Sequence, residues 1–390
     1  MENFRNLVNS IDLSKVDFLF FSIFLSVSIC GLIILASASV QFSDSITGHP
    51  FSMLMKQSIH FMVGFLLLIA IGFTQLSFWE TFDKWLLLFG VFLLILVFVP
   101  GIGVEVNGAN RWIRVGGFGL QPSEVMKFIS IVYISAYSVR RITDLQTHWF
   151  GFFKPAFLII FIVSLILLQP DLGTSAVILA TVLGILFLAG VHLKQFLLVL
   201  LLALIGISAL IIFVPWRWER IISFTDPWSD PFGTGYQLTL SLMSIGRGDW
   251  FGVGLGEGLM KMGYLPDAHT DFIYSVLVEE IGLLGGIVII SLLFGLAFRC
   301  FYIAKQALIK NQYFGFFAAY GVAILLGLHT FINVGVASGL LPTKGLTLPF
   351  ISYGGTNLLV MCSLIGLVLR IDYETKVAMP VAHVSRRASF

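Results

Sequence analysis

The sequence predicts an all-α membrane protein, a polytopic bundle of about ten transmembrane helices, on three observations. Hydrophobic residues fill 58% of the 390 positions and charged residues only 11%, whereas roughly a quarter of a soluble domain is charged. Apolar runs long enough to cross about 30 Å of hydrocarbon recur along the whole length. No linker separates one part from the next, so residues 1–390 read as one integral membrane domain. Its core lies at about 17–371, a long extracytoplasmic loop at 215–271 and a short basic tail at 372–390.

The runs fall at approximately 17–39, 57–74, 84–99, 122–139, 154–168, 172–190, 195–214, 272–302, 314–338 and 351–371. The first is longer than the core of a secretory signal, and Asp12 and Asp17 dilute the basic residues before it. Ala36, Ser37 and Ala38 therefore belong to a retained helix rather than to a cleavage site. The short run 154–168 ends at Gln169, Pro170 and Asp171. With the next run it can form one broken element, its break buried or lining a cavity. Cys30, Cys300 and Cys362 lie in or at the end of apolar runs, lack metal-ligand spacing and read as packing residues.

Orientation follows from the placement of Lys and Arg. With the N-terminus in the cytoplasm, inner segments hold most of them, including Arg140, Arg141, Arg299, Lys305, Lys310, Arg386 and Arg387. Half of the outer ones, Arg217, Arg220, Arg247 and Lys261, lie in the single loop 215–271, whose length weakens its vote. Both termini are thus expected in the cytoplasm. The net charge of +2 implies nothing about nucleic acid, and no RNA- or DNA-binding signature is present.

Two outer segments break the helical pattern. Pro100–Lys127 is too rich in glycine to span, and Arg111, Trp112, Ile113 and Arg114 suit a chain lying in the interface. It enters the membrane at Gln121–Pro122–Ser123, with either Ser123 as N-cap or Pro122 at the first helical position. Glu124 and Lys127, three apart, share a face of that helix and can pair. The pair either closes a helix end or faces a cavity, and its distance from Asp271 decides which.

In the second segment, 215–271, Gly252, Gly254, Gly256 and Gly258 resemble a dinucleotide loop only superficially, because no strand–turn–helix unit surrounds them. They permit tight turns, with Trp250 and Phe251 as interfacial anchors and an amphipathic stretch at 236–245 on or in the membrane. After Pro266, the loop delivers His269, Thr270 and Asp271 to the mouth of an apolar helix. An ionisable cluster at the edge of hydrocarbon is costly and reads as functional. Asp271 could instead be a plain N-cap. Glu279 and Glu280 diverge by about 100° on the helix, so at most one shares a face with Asp271. Pairing with a Lys or Arg would explain them without function.

NGANRWI at 107–113, QPSE at 121–124, QPDLGT at 169–174, DPFGTGYQ at 230–237, LPDAHTDF at 265–272 and GLLPTKGLTLPFISYGG at 339–355 are similar to the signature segments of the SEDS family of bacterial shape, elongation, division and sporulation proteins. The resemblance runs from the first apolar run to about Arg370. TKGLTLPFISY, DPFGTGYQ and Tyr264 resemble the division member more than the elongation member.

The resemblance implies an inverting glycosyltransferase that polymerises lipid II, the undecaprenyl-linked disaccharide-pentapeptide, into β-1,4-linked peptidoglycan strands for septal wall synthesis. By motif, the catalytic Asp maps onto Asp271, and substrate-binding residues map onto Arg111, Trp112, Glu124 and Lys127, with His269 beside them. The chemistry fits those residue types. A positioned carboxylate can take the acceptor proton, and Arg111, Lys127 or a divalent cation such as Mg or Mn can offset the charge of the departing diphosphate. The implied setting is the bacterial inner membrane at the septum. The implied partners are a class B penicillin-binding protein transpeptidase, other division proteins and membrane lipid. A lipid II flippase and a non-catalytic division scaffold are the alternatives. Transport asks for charged groups spread from face to face, whereas here they gather on the outer side; a scaffold would make Asp271 expendable.

Overall fold

A computed structural model describes residues 15–378 except 107, 116 and 117. In chain order, the first helices are α1 (Phe18–Thr47), α2 (Ser52–Phe73) and α3 (Leu76–Leu96). Three strands follow: β1 (Gly103–Val106), β2 (Ala109–Val115) and β3 (Phe118–Leu120). Then come α4 (Pro122–Arg140), α5 (Ile142–Thr147), α6 (Trp149–Leu168), α7 (Leu172–Leu188), α8 (Leu193–Ile212), α9 (Pro215–Thr225), α10 (Tyr236–Gly248), α11 (Ile273–Ile309), α12 (Tyr313–Ala337) and α13 (Gly355–Val377).

Each expected apolar run falls on a long helix, and seven of these helices are long and apolar enough to cross a membrane. The boundaries shift where polar side chains find partners. α3 begins eight residues before its expected start at 84, because Asp83 is paired with Arg140 at 2.6 Å and the Leu76 N–H donates to Glu374 at 3.0 Å. α13 runs past 371 to Val377, stitched by Arg370–Glu374 and Asp372–Lys376 pairs. Ala36–Ala38 lie within α1, whose start is capped by Asp17 and tied to α11 by Arg299 at 2.7 Å. α4 opens with Pro122 at the start of the helix, and its N-cap position is Gln121, not Ser123.

Two outer segments carry secondary structure that the sequence reading did not specify. The segment after Pro100, expected only to be non-spanning and interfacial, folds as an antiparallel three-stranded sheet in the order β1-β2-β3, with Trp112 opposite Val104 and Ile113 opposite Leu120. Gly108, with a φ of 74° between β1 and β2, suits a hairpin connection, and alternation lets Ile113 pack on Leu93 and Val97 while Trp112 faces the other way. Asn107 of the NGANRWI motif lies outside the described residues, as does the tail beyond 378. The expected long loop 215–271 carries two helices, α9 and α10. The amphipathic stretch forms α10, which buries Leu238, Ser241 and Ser244, with Ser244 donating to the Ser275 carbonyl of α11 at 3.0 Å.

α11 is broken at Gly282, whose φ of 77° a side chain would oppose. Loop 249–254 docks into the break: Val253 and Gly254 N–H donate to the Glu279 and Glu280 carbonyls, and Leu283 and Leu284 N–H donate to Asp249 and Trp250. Glu279 holds Arg247 at 2.7 Å and accepts from the Leu259 and Met260 N–H groups; Glu280 holds Lys261 and Ser37. Both glutamates therefore fasten the loop, and neither faces Asp271.

Candidate active site

Four irregular segments converge where helices end. They are strand β2, the break at Gln169–Asp171, the loop 265–272 and the extended segment 342–348 between α12 and α13. Each is held by hydrogen bonds that leave functional groups free. Asp171 caps α7 through the Thr174 N–H at 3.0 Å and also receives Ser123 and Gln121 from the start of α4 at 3.3 Å. Arg111 donates to the carbonyls of Gln169 and Pro170, both at 2.8 Å, which aims its guanidinium without spending its charge on a carboxylate. Ser352 donates to the Thr270 carbonyl at 2.6 Å and the Tyr353 N–H donates to the His269 carbonyl at 2.9 Å, fixing the loop against α13.

Two cavities of about 570 and 470 Å³ meet at this point and share Arg111, Asp171, Asp271 and Gly345 in their walls. The first adds three cations, Arg217 and Arg220 from α9 and Lys344 from the extended segment, together with Asp267. The second is lined by Trp112, Glu124, His269, Tyr353 and Asn357, groups suited to stacking and hydrogen bonding. Asp271 is not an N-cap: α11 starts at Ile273 after Phe272, with no side-chain cap. Among the described residues its carboxylate receives no hydrogen bond, while its backbone carbonyl accepts from Asn333 at 2.9 Å.

Burial and the carboxylates of Asp267 and Asp171 outweigh Arg220 and Arg111 and push the Asp271 carboxyl up to about 7. Lys344 is moved down to about 8 by burial and by its neighbours Arg220 and Arg217, against Asp171. Burial lowers His269, which stacks on Phe42 at 4.4 Å between ring centroids.

The structure thus brings Asp271, Arg111, Trp112, Glu124 and His269 to one pair of cavities. Lys127 stands apart from the other expected substrate-binding residues. It is wholly buried and lines neither cavity, because it lies one turn behind Glu124, 2.7 Å from its Oε1, with its other side against His329. Sequence reasoning missed Arg217, Arg220 and Lys344 as site residues: the two arginines served only to orient the chain, and Lys344 stood within the 339–355 motif without being singled out. Two arginines three apart on a Pro-initiated amphipathic stretch share a face, and that was the available signal. It also missed His329 and Asn333, polar residues one turn apart in an apolar helix. The described residues gather no group of three His, Cys, Asp or Glu side chains that could hold a metal ion. The aspartates supply oxygen donors of the kind Mg²⁺ takes, without forming a cage.

A family model described as "Cell cycle protein", covering FtsW, RodA and SpoVE, matches residues 17–377. The probable peptidoglycan glycosyltransferase FtsW of Coxiella burnetii is 46% identical over 352 residues, covering 90% of this chain and 95% of the relative. The Legionella pneumophila protein of the same name is 44% identical over 348 residues, covering 89% and 88%. A chain of a peptidoglycan synthase complex, solved for its structural coordination of polymerization and crosslinking, superposes with a TM-score of 0.75 at 27% identity over 92% of this chain and 98% of that one. The rod shape determining protein RodA of Thermus thermophilus superposes with a TM-score of 0.67 at 26% identity, over 92% and 96%.

Proposed function

The chain belongs to the FtsW, RodA and SpoVE family of cell cycle proteins, and we propose that it is the septal peptidoglycan glycosyltransferase that polymerises lipid II into β-1,4-linked glycan strands. The observation that carries this reading is the carboxylate of Asp271, without a hydrogen bond among the described residues, in the wall common to a cavity that adds the cations Arg217, Arg220 and Lys344 and one that adds the stacking and hydrogen-bonding groups Trp112, His269, Tyr353 and Asn357. A reaction that joins a diphosphate-bearing donor to a sugar acceptor needs two such seats with a base between them.

In this scheme the 4-hydroxyl oxygen of the acceptor sugar attacks C1 of the α-linked donor sugar, and its proton passes to Asp271. The bond from C1 to the diphosphate oxygen breaks, and undecaprenyl diphosphate leaves with the electron pair, inverting the anomeric centre. No second carboxylate is needed as nucleophile. A base near neutrality suits the step, and such a group typically contributes about 10² to 10⁴-fold. Arg111, Arg217, Arg220 and Lys344 stand where the diphosphate charge develops, a role that Lys127 is too buried to take. A divalent cation, Mg or Mn, would add positive charge beside the diphosphate, with oxygen donors from Asp171 and Asp267. Trp112, His269 and Glu124 would seat the acceptor sugar.

The polyprenyl tail would lie among the helices, with the cavities at the extracytoplasmic face, both termini in the cytoplasm and the protein at the septum. The likeness to a chain of a peptidoglycan synthase complex that coordinates polymerization and crosslinking supports a crosslinking partner, here a class B penicillin-binding protein transpeptidase, alongside other division proteins. The transport reading is less well supported: at the end of the bundle opposite Asp271, Asp17, Asp83 and Glu374 are held in ion pairs with Arg299, Arg140 and Arg370, and offer no continuation of a charged path. Purified protein in detergent separates the two readings. With no bilayer to cross, lipid II should still become glycan polymer; lipid II left unchanged there by a folded, partner-bound sample would contradict the enzyme.

A further inference from the structure

α12 presents two wholly buried polar side chains one helical turn apart, His329 and Asn333, and neither lines the two cavities around Asp271. Asn333 Nδ2 donates both to the Asp271 carbonyl at 2.9 Å and to the Leu346 carbonyl at 2.7 Å. His329 Nε2 lies 3.0 Å from Lys127 Nζ, and its Nδ1 lies 3.2 Å from the Thr347 carbonyl. One helix face therefore ties together the loop carrying Asp271, the wall segment 345–347 and, through Lys127, the helix carrying Glu124.

The hydrogen-bond chemistry fixes the state of the imidazole. Lys127 is an ammonium paired with Glu124 at 2.7 Å, and an ammonium only donates. Nε2 must then be the accepting nitrogen, which leaves the proton on Nδ1 to donate to the Thr347 carbonyl, itself only an acceptor. A protonated ring would set two cations against each other, and the opposite tautomer would point N–H at an ammonium and a lone pair at a carbonyl.

We infer that His329, neutral and protonated on Nδ1, is with Asn333 a positioning residue that sets Asp271 and the wall at Gly345–Thr347 in register with Glu124. The inference rests on the glycosyltransferase reading, since register between base and acceptor seat has value only if they act on one substrate pair. It assigns His329 no proton transfer with substrate.

The test has two arms, both on the intact chain. In the first, polymerisation of lipid II is followed per folded molecule in His329→Leu and His329→Gln. Glutamine can accept from Lys127 and donate to Thr347, while leucine can do neither. Displacement of a catalytic group by about 1 Å can cost 10²-fold. His329→Leu should therefore lose on the order of 10²-fold in kcat with KM little changed, and His329→Gln should recover most of it. A merely structural residue would lower the melting temperature and yield but leave kcat per folded molecule unaltered. Unchanged kcat in the leucine variant, or a glutamine variant no better than leucine, overturns the inference.

In the second arm, ¹⁵N NMR of the histidines in the wild-type protein, assigned by the spectrum lost in His329→Gln, should show a neutral Nδ1–H ring for His329. An Nε2–H ring or an imidazolium overturns it, and this arm decides alone if the leucine variant does not fold. The NMR arm is independent of the reaction, so a wild-type protein that makes no polymer would defeat the glycosyltransferase reading without being mistaken for failure of the His329 geometry.

Discussion

The carboxylate of Asp271 lies so close to Gly345 that a Cβ built on the glycine would sit 2.8 Å from Asp271 Oδ2. No real Cβ contact is that short, and the side chain of Asp271 has few bonds over which to yield. Gly345→Ala should therefore displace this carboxylate, the proposed base, while leaving the helices intact. The expected result is a loss of kcat on the order of 10²-fold with a melting temperature close to that of the parent, measured as polymer formed from lipid II.

The ionisation of Asp271 and Lys344 brackets a narrow working range. A base must be ionised, so kcat/KM should rise with pH up to about 7 as Asp271 loses its proton. Above about 8, Lys344 loses its charge and the cationic cavity weakens toward a diphosphate. A pH profile of kcat/KM should be bell-shaped with limbs near these values, and Lys344→Arg should push out the alkaline limb alone.

The same raised pKa of Asp271 has a cost in stability, with a definite sign. The folded state holds this proton more tightly than the unfolded chain does. The stabilisation is thus fully present below the ordinary carboxyl value of 3.8 and is lost as pH climbs through about 7. Asp271→Asn removes the ionisation. Its melting temperature should exceed that of the parent at pH 8, and the difference should shrink toward pH 4, as thermal denaturation in detergent would register.

Arg220 faces the cationic cavity from α9, outside the motifs that identify the family. Loss of a charge-assisted contact is worth about 1.5–3 kcal/mol. Arg220→Ala should then lower kcat/KM for lipid II by roughly ten- to a hundredfold, mostly through KM. The parent's KM should also rise with salt more steeply than the variant's.

Much of this was legible in the sequence, and the misses have physical causes. The ten apolar runs fall on long helices among the described residues, seven of them long and apolar enough to cross a membrane, because hydrocarbon thickness sets the length such a helix needs. Their ends were misplaced where Asp83, Glu374 and Asp372 are paired by side chains distant in sequence or one turn away, since a hydropathy reading counts a paired carboxylate as fully as a free one. The sheet was missed because glycine clusters say only that no helix forms there. Asp271, Arg111, Trp112, Glu124 and His269 come together around two cavities, as their clustering and the family resemblance implied. Lys127 shows the limit of motif reasoning: its spacing from Glu124 was right, but which of the pair is buried behind the other is decided by His329 on α12, about two hundred residues away. Arg217, Arg220 and Lys344 gained their place only through tertiary packing.

If Asp271 takes the proton of the attacking sugar hydroxyl, purified Asp271→Asn should fail to form glycan strands from lipid II. The geometry predicts a folded variant that yields no polymer at any pH between 6 and 9. Strands of normal length formed at the normal rate would contradict the assignment of Asp271 as the base.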